Sequence, residues 1–478
     1  MVSFGFLKDK PQPVRRPAVA GLFYPGDVQE LTLTVDELLS KAAPRRIDGR
    51  VLAMISPHAG YPYSGHVAAQ GYATLRQQQP QRIVLIAPSH VEAFSGAAVF
   101  GGRAYATPLG EVVVDRPFCE RLVQAGGARF SDSGHGWTVP GRGEHALEVQ
   151  LPFLQRVLDS MEIVPIVLGD KNMTTCRRLG STLADLMDPD TVVVASSDLS
   201  HYHSYEAAQV LDRRVSEFLL SWDYFSLYSS LEAGECEACG SGPIIATMIA
   251  AQQSGGDSVT LLHAANSGDV PPFRREEVVG YLSAVLTRGG QETGPPAATR
   301  LSDEEGKRLL EIAQESVRRA VTGEDPMDTS GEAPSLRVPR ASFVTLRREG
   351  RLRGCIGSVV AREPLATSVA TAAAAAALRD PRFAPVSVGE LAGIDCHVSV
   401  LTPFRLLRDP SKVEVGHHGL LVELNARRGL LLPQVAAEQG WNAETFLEQT
   451  CLKAGLEPTA WQDPRAAVYA FTAQLIGE

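Results

Sequence analysis

The residues best suited to chemistry follow three similar stretches. Val51–Ile55 runs into Ser56-Pro57-His58, Ile83–Ala87 into Pro88-Ser89-His90, and Val192–Ala195 into Ser196-Ser197-Asp198-Leu199-Ser200-His201. A neutral imidazole offers one nitrogen to Zn, Fe or Cu, and its other nitrogen then needs a partner that fixes the tautomer. Asp198 and the hydroxyls of Ser56, Ser89, Ser196 and Ser197 are candidates for that role. Cys239 is a candidate third ligand. It sits just ahead of an apolar helix expected over Ile244–Ala251, and a helix N-terminus is expected to lower a thiol pKa and favour thiolate. Cys236 completes a Cys-x-x-Cys with it, but there is no second such pair in the chain, so Cys236 reads as a bystander. Asp198 and His201 are three residues apart, close enough for a short turn to aim both into one crevice. Glu144-His145 opens an expected helix. The acid there also suits the helix dipole, and His145 is kept as a site candidate. Together these residues point to a metal site.

The elements that must position them are strands. Short continuous apolar runs read as strands buried on both faces of a parallel sheet. In open α/β sheets the ligand crevice lies beyond the carboxyl ends of such strands. Helices are expected over Val28–Leu39 and Glu144–Leu158, and a strand over Ile163–Leu168. This alternation indicates βαβ units and an α/β domain with a largely parallel central sheet. Ala97–Phe100 and Glu111–Val114 read as short strands of an antiparallel excursion near the sheet edge.

Arg288–Ala298 is rich in Gly, Pro and polar residues and lacks periodicity, as expected of a linker. The chain is therefore divided into a domain over 14–288, a linker over 289–300 and a second domain over 301–478. The second opens with a helix over Ser302–Val321, capped by Ser302 with Glu305 three residues on. An alanine-rich helix is expected over Ser368–Leu378, strands over Ala341–Arg347, His397–Leu401, Val413–Val415 and Leu420–Leu424, and a helix over Ala443–Ala454. The mixture lacks regular alternation, which indicates α+β. Cys355 lies between Gly354 and Gly357 with Arg353 nearby. A cation and backbone amides there could activate a thiolate, and a tight turn with a packed cysteine would use the same glycines.

Bulk properties exclude several classes. The 478 residues carry a net charge of −10 with no basic block, which argues against nucleic acid as a partner. No stretch reaches the ~18–20 apolar residues of a membrane span, and Met1–Pro25 has no sustained apolar core of an export signal. Seven cysteines spread thinly do not make a disulfide framework, so a cytoplasmic protein with reduced thiols is expected.

Residues 14–286 resemble the Memo family, relatives of the class III extradiol dioxygenases. The resemblance is carried by Ala20-Gly-Leu-Phe-Tyr-Pro25, Pro57-His58-Ala-Gly-Tyr61, Pro88-Ser89-His90, Glu144-His145, Ser196-Ser-Asp198 with His201, and Cys239-Gly240. Asn266-Ser267-Gly268-Asp269 and Gly280-Tyr281 add to it. It implies a dioxygenase-like fold and a metal site at His58, His90 and Cys239, with Asp198 and His201 lining the pocket. Iron (Fe2+) is the expected ion, with copper or zinc as alternatives. The dioxygenases use two histidines and a carboxylate, so a thiolate here puts simple catechol cleavage in doubt.

Residues 301–478 resemble the AMMECR1 family through Leu352-Arg-Gly-Cys355-Ile-Gly357, Asp380-Pro-Arg-Phe383, Val415-Gly-His-His-Gly-Leu420, Leu431-Leu-Pro433 and Trp441. The fusion resembles the AmmeMemoRadiSam arrangement, which implies a radical S-adenosylmethionine enzyme as a separate partner. The chain itself has no Cys-x3-Cys-x2-Cys motif. The expectation is a metal-dependent oxidoreductase acting on a small organic substrate. His58, His90 and Cys239 would hold metal, Asp198, His201 and His145 would serve catalysis, and Arg353 and Cys355 would form a second surface. A peptide- or protein-binding module on the same fold is the alternative, and a zinc hydrolase a third reading.

Overall fold

The structure, a computed structural model, describes residues 13–42, 47–136, 143–289 and 300–477. The chain divides into two compact units, Met1–Thr293 and Gly294–Glu478. The stretch expected to be a linker falls at this division, and its residues 290–299 lie outside the described residues. Among the described residues no helix is long and apolar enough to cross a membrane.

The first unit is built on a nine-stranded sheet. Its strands are β1 (Arg50–Ser56), β2 (Arg82–Pro88), β3 (Ala97–Val99), β4 (Arg129–Phe130), β5 (Glu162–Leu168), β6 (Thr191–Ser196), β7 (His201–His203), β8 (Ser258–Asn266) and β9 (Val278–Arg288). They lie in the order β7-β9-β1-β6-β2-β5-β3-β4, with β8 also paired to β9. The centre, β1-β6-β2-β5, is parallel. β9 runs antiparallel to β1, and β3 antiparallel to β5. The short segments expected near the edge divide between two sheets: β3 joins the main one, while Gly110–Val113 pairs with Ala104–Thr107 in a small separate sheet.

Successive strand residues point to opposite faces. In β1, Leu52, Ala53, Met54 and Ile55 are all buried, and so are Ile83–Ala87 of β2 and Val192–Ala195 of β6. The three strands are therefore covered on both faces, which is why their sequences run apolar without alternation. Covering helices include α1 (Val28–Lys41), α2 (Tyr61–Leu75), α3 (Met173–Leu186) and α4 (Ser241–Gln253). α2 packs on β1 and β9, and α4 on β1, β2, β6 and α3. Gly71 and Gly180 allow the closest of these approaches: a Cβ on Gly71 would meet Met54, and one on Gly180 the Ala246 carbonyl.

The helix expected over Glu144–Leu158 is shorter than its apolar stripe. A 3-10 turn spans Glu148–Gln150 and the α-helix spans Leu151–Val157. Pro152 in its first turn has no N–H to give to a preceding turn, which suits a helix start. Glu144 and His145 are thereby left in a loop.

The second unit has two four-stranded sheets. One contains β10 (Ser342–Arg348), β11 (Arg351–Ser358), β12 (Ile394–Leu401) and β13 (Ala473–Ile476), in the order β11-β10-β12-β13 and antiparallel throughout. α5 (Asp303–Thr322) and α6 (Leu365–Leu378) share its core. α5 opens with the Ser302/Glu305 capping box. Val413–Val415 is not a strand: a 3-10 turn over Pro410–Lys412 leads into a further turn there, and the strand begins at Gly419. Three residues between turns cannot bury a face of their own.

Candidate metal centre

β1, β6 and β2 are neighbours, so their carboxyl ends bring three loops together. His58 lies two residues beyond β1, Asp198 two beyond β6 and His90 two beyond β2. Cys239 comes from the opposite direction, just before the Gly240 N-cap of α4. The amides of Cys239 and Gly240 donate to the Asp198 carbonyl (3.2 Å) and Ser197 Oγ (2.9 Å), docking the start of α4 on the exit of β6. A Cβ on Gly240 would stand 2.4 Å from the Ser196 carbonyl oxygen, so only glycine permits this approach.

One ligand atom each from His58, His90 and Cys239 lies within 4.8 Å of the others. Cys239 Sγ is 3.1 Å from His58 Nε2. His58 is buried while His90 opens to solvent, so the cluster is accessible from one side. His145 joins the same group of rings, stacked on His90 at 4.9 Å and edge-on to His58 at 5.5 Å. Phe23 packs on its ring at 4.7 Å.

Each ligand candidate has a partner behind it. His90 Nδ1 is 3.0 Å from Glu144 Oε1, and the His90 amide donates to Oε2 at 2.6 Å. The amides of His145 and Ala146 donate to Oε1 as well. Glu144, His90 and His145 also form a compact donor group, but these bonds occupy the carboxylate, so Glu144 serves as a support for His90. Burial pushes the Glu144 carboxyl up, yet His90 and the backbone amides outweigh it and hold it at about 2. Burial lowers His90, and the Glu144 hydrogen bond and charge more than offset this, leaving it raised. Burial drives His58 down to about 3 and His145 to about 4. Behind His58, Nδ1 lies 2.9 Å from Ser196 Oγ.

Asp198 is buried, and Oδ1 accepts from the His58 amide at 2.8 Å and the Ala59 amide at 3.3 Å. Burial raises its pKa against those amides. Oδ2 is 4.0 Å from His58 Nε2. His201 donates through Nδ1 to the Leu199 carbonyl at 2.8 Å, and its charge acts on both His58 and Asp198. The sequence expectation for Cys239 is reversed. Burial, followed by the Asp198 carboxylate, pushes the thiol well above its ordinary range. The helix N-terminus is present, but desolvation is the larger effect. Cys236 is buried and likewise pushed up to about 12.

Two imidazoles and a sulfur suit Fe, Cu or Zn, whereas Mg or Ca would require oxygen donors. The donor set fits all three ions alike.

In the second unit, Arg353 does not act on Cys355. It pairs with Glu390 (3.0 Å) and donates to the Ala384 carbonyl (2.9 Å). Arg382 takes that place, donating to the Cys355 carbonyl at 3.1 Å, while the Cys355 amide donates to Asp380 at 2.8 Å. Thr345 Oγ1 donates to Cys355 Sγ at 3.3 Å. The motif is a strand and contains no turn. Its glycines admit neighbours: a Cβ on Gly354 would strike the Ala376 carbonyl, and one on Gly357 the Phe343 ring.

Sequence reasoning missed Gln150 and Tyr72 behind His58, since no motif marks them. It treated Glu144 as a possible cap, a role that uses the same residue type.

A family model described as Memo-like protein matches residues 15–285, and the AMMECR1 model matches residues 310–476. A MEMO1 family protein of Methanopyrus kandleri is 36% identical, covering 58% of this chain and 99% of its own length. One from Methanobrevibacter smithii is 35% identical, covering 57% and 99%. The crystal structure of an uncharacterized protein from Pyrococcus horikoshii shares 40% identity over 37% of this chain and 92% of that one, with a TM-score of 0.35. With His58, His90 and Cys239-Gly240 lying inside the matched region, this chain belongs to the Memo family and carries an AMMECR1 domain in the same polypeptide.

Proposed function

We propose that the first unit is a redox metalloenzyme acting on a small organic substrate. His58 Nε2, His90 Nε2 and Cys239 Sγ would hold the ion, with iron preferred and copper the alternative. The observation that carries this reading is the convergence of these three donors within 4.8 Å at the carboxyl edge of a parallel sheet. Bound there, the ion supplies redox capacity and open coordination positions. Glu144 orients His90. Asp198, its pKa raised by burial, lies next to His58 and Cys239 and can give or take a proton. His201, its Nδ1 fixed on a carbonyl, presents Nε2 for the same purpose, and His145 with Phe23 forms a wall of the crevice. The substrate, following the fusion with an AMMECR1 domain, would be a product of a separate radical S-adenosylmethionine enzyme. Arg353, engaged by Glu390, and Cys355 would contribute a second surface.

Anaerobic purification and metal analysis test the site. Near-stoichiometric iron or copper in the wild type, lost in His58→Ala, His90→Ala and Cys239→Ala, is expected. A wild type that stays metal-free after reconstitution would defeat the proposal and leave peptide recognition as the next reading. Two imidazoles and a thiolate also suit catalytic zinc, so stoichiometric zinc with no redox activity would shift the reading to a hydrolase.

A further inference from the structure

We infer that Tyr72, Gln150 and Ser196 form a one-way hydrogen-bond relay that sets the tautomer of His58, protonating Nδ1 and leaving the Nε2 lone pair facing Cys239. The inference rests on the metal-site reading for its purpose, while its geometry stands on the protein alone.

The direction of every bond follows from two backbone carbonyls, which can only accept. Ser196 Oγ lies 2.6 Å from the Ala146 carbonyl, so its single proton must go there. One end of the Gln150 amide lies 2.9 Å from the Pro57 carbonyl, so that end must be the NH2 group. The same nitrogen lies 2.8 Å from Ser196 Oγ and donates its second proton to it. The other end, the carbonyl, accepts from Tyr72 OH at 2.6 Å. Ser196 Oγ has now used its proton and one lone pair. The remaining lone pair faces His58 Nδ1 at 2.9 Å, and this contact is a hydrogen bond only if Nδ1 carries the proton. A neutral imidazole has one N–H, so Nε2 is bare, 3.1 Å from Cys239 Sγ.

The relay is buried throughout: Tyr72, Gln150, Ser196 and His58 are at most 2% exposed. Water has no access with which to substitute for a missing partner. The elements that carry it flank those that carry the ligands. Tyr72 lies on α2, Gln150 on the turn after Glu144-His145, and Ser196 at the end of β6. Gln150 and Ser196 are each tied to the backbone of a loop that bears a site histidine, through the Pro57 and Ala146 carbonyls. Ser196, Gln150 and Tyr72 are thus positioning residues. They act on the site through the His58 ring and through the two loops whose carbonyls they brace.

The test uses the full chain, metal-free, with 15N-labelled histidine. A long-range 1H–15N spectrum reports which ring nitrogen is protonated, and the His58 signals are those lost in His58→Gln. The wild type should show Nδ1–H and an unprotonated Nε2. Ser196→Ala should release the Nδ1–H preference and weaken binding of zinc, used as a diamagnetic probe, by about 10–100-fold. Tyr72→Phe should have a smaller effect, because Ser196 stays anchored on Ala146. An Nε2–H tautomer in the wild type would overturn the inference, as would a Ser196→Ala protein that keeps both tautomer and zinc affinity. The wild-type spectrum decides alone if the variant does not fold. Failure of the wild type to bind any metal would strike the metalloenzyme reading and leave the tautomer assignment standing.

Discussion

At the scale of single residues, the division of labour behind the two histidines is unequal. His58 is supported by a neutral hydroxyl and His90 by a carboxylate. A carboxylate partner makes a ligating imidazole more basic and fixes its ring. Replacing Glu144 by Gln keeps the shape but removes the charge and weakens three amide bonds. Metal affinity, measured by competition with a chelator, should fall about 10–100-fold, the usual cost of losing such support. Unchanged affinity would mean that Glu144 only shapes the loop. Much of this site was legible before the fold was known. His58 and His90 could be read because each follows a fully apolar strand at a Pro/Ser turn, a combination with a physical consequence. The state of Cys239 could not be read, because position ahead of a helix is visible in sequence and burial is not. Glu144 was ambiguous for a related reason: capping and ligand support both ask for an acid at the same place. Gln150 gave no sign at all, since its role depends on two carbonyls distant in the chain, those of Pro57 and Ala146.

At the scale of elements, the site depends on how closely α4 approaches the end of β6. Gly240 is the point of contact, and Gly242, one residue into the helix, is a natural control. A Cβ at 240 would meet the Ser196 carbonyl oxygen at 2.4 Å, whereas at 242 the nearest atom is a Leu168 methyl at 3.2 Å. Backbone cannot swing aside as a side-chain methyl can. Gly240→Ala should therefore cost about 1–3 kcal/mol in denaturant unfolding, as overpacking usually does. It should also reduce bound metal by displacing Cys239. Gly242→Ala should do far less on both counts. Equal effects would show that the docking is not what holds the thiol in place. The continuous apolar strands were readable as elements because burial on both faces leaves a sequence signature. Val413–Val415 misled because one Val-Glu-Val alternation is too short to establish a period, and the stripe from Leu147 to Leu158 because an apolar face continues through a 3-10 turn.

At the scale of the whole chain, the two units should respond differently to acid. His58, His135 and His145, all in the first unit, are held down by burial to about 3, 4 and 4. Unfolded, each would titrate near 6.5. Below that pH the unfolded chain takes up protons that the folded chain refuses, so stability falls as pH falls. Each histidine contributes about 1.4 kcal/mol per pH unit, until the folded pKa is reached. Glu144, held at about 2, acts in the same direction once the pH drops below its unfolded value near 4.3. His90 works the other way: its raised pKa adds stability that is full below about 6.5 and lost as pH rises through the folded value. His66, also lowered by burial, adds to the loss of stability on acidification, whereas Asp198, Asp212, Glu217 and Asp223 of the same unit are raised by burial, gain stability as pH falls and oppose it. In the second unit, His418 is the one histidine among the described residues with a lowered pKa, and it is only half-buried. The carboxylates Asp380 and Glu390 of that unit are held low, chiefly by their partners Arg382 and Arg353, so their contribution fades only below the ordinary carboxylate range. Calorimetry of the metal-free full chain from pH 7.5 to 4 should therefore show one transition that shifts with pH across this window, by less than the histidines alone would give, while a second holds until the carboxylates titrate. Adding zinc should hold up the acid-sensitive transition at neutral pH and lose this effect as protons compete for the ligands. If both transitions stayed fixed down to pH 4, and still did so when Asp212→Asn removed an opposing carboxyl, the buried histidines would have to be charged or solvated in the folded protein, and the closed, neutral site described for His58 would be wrong.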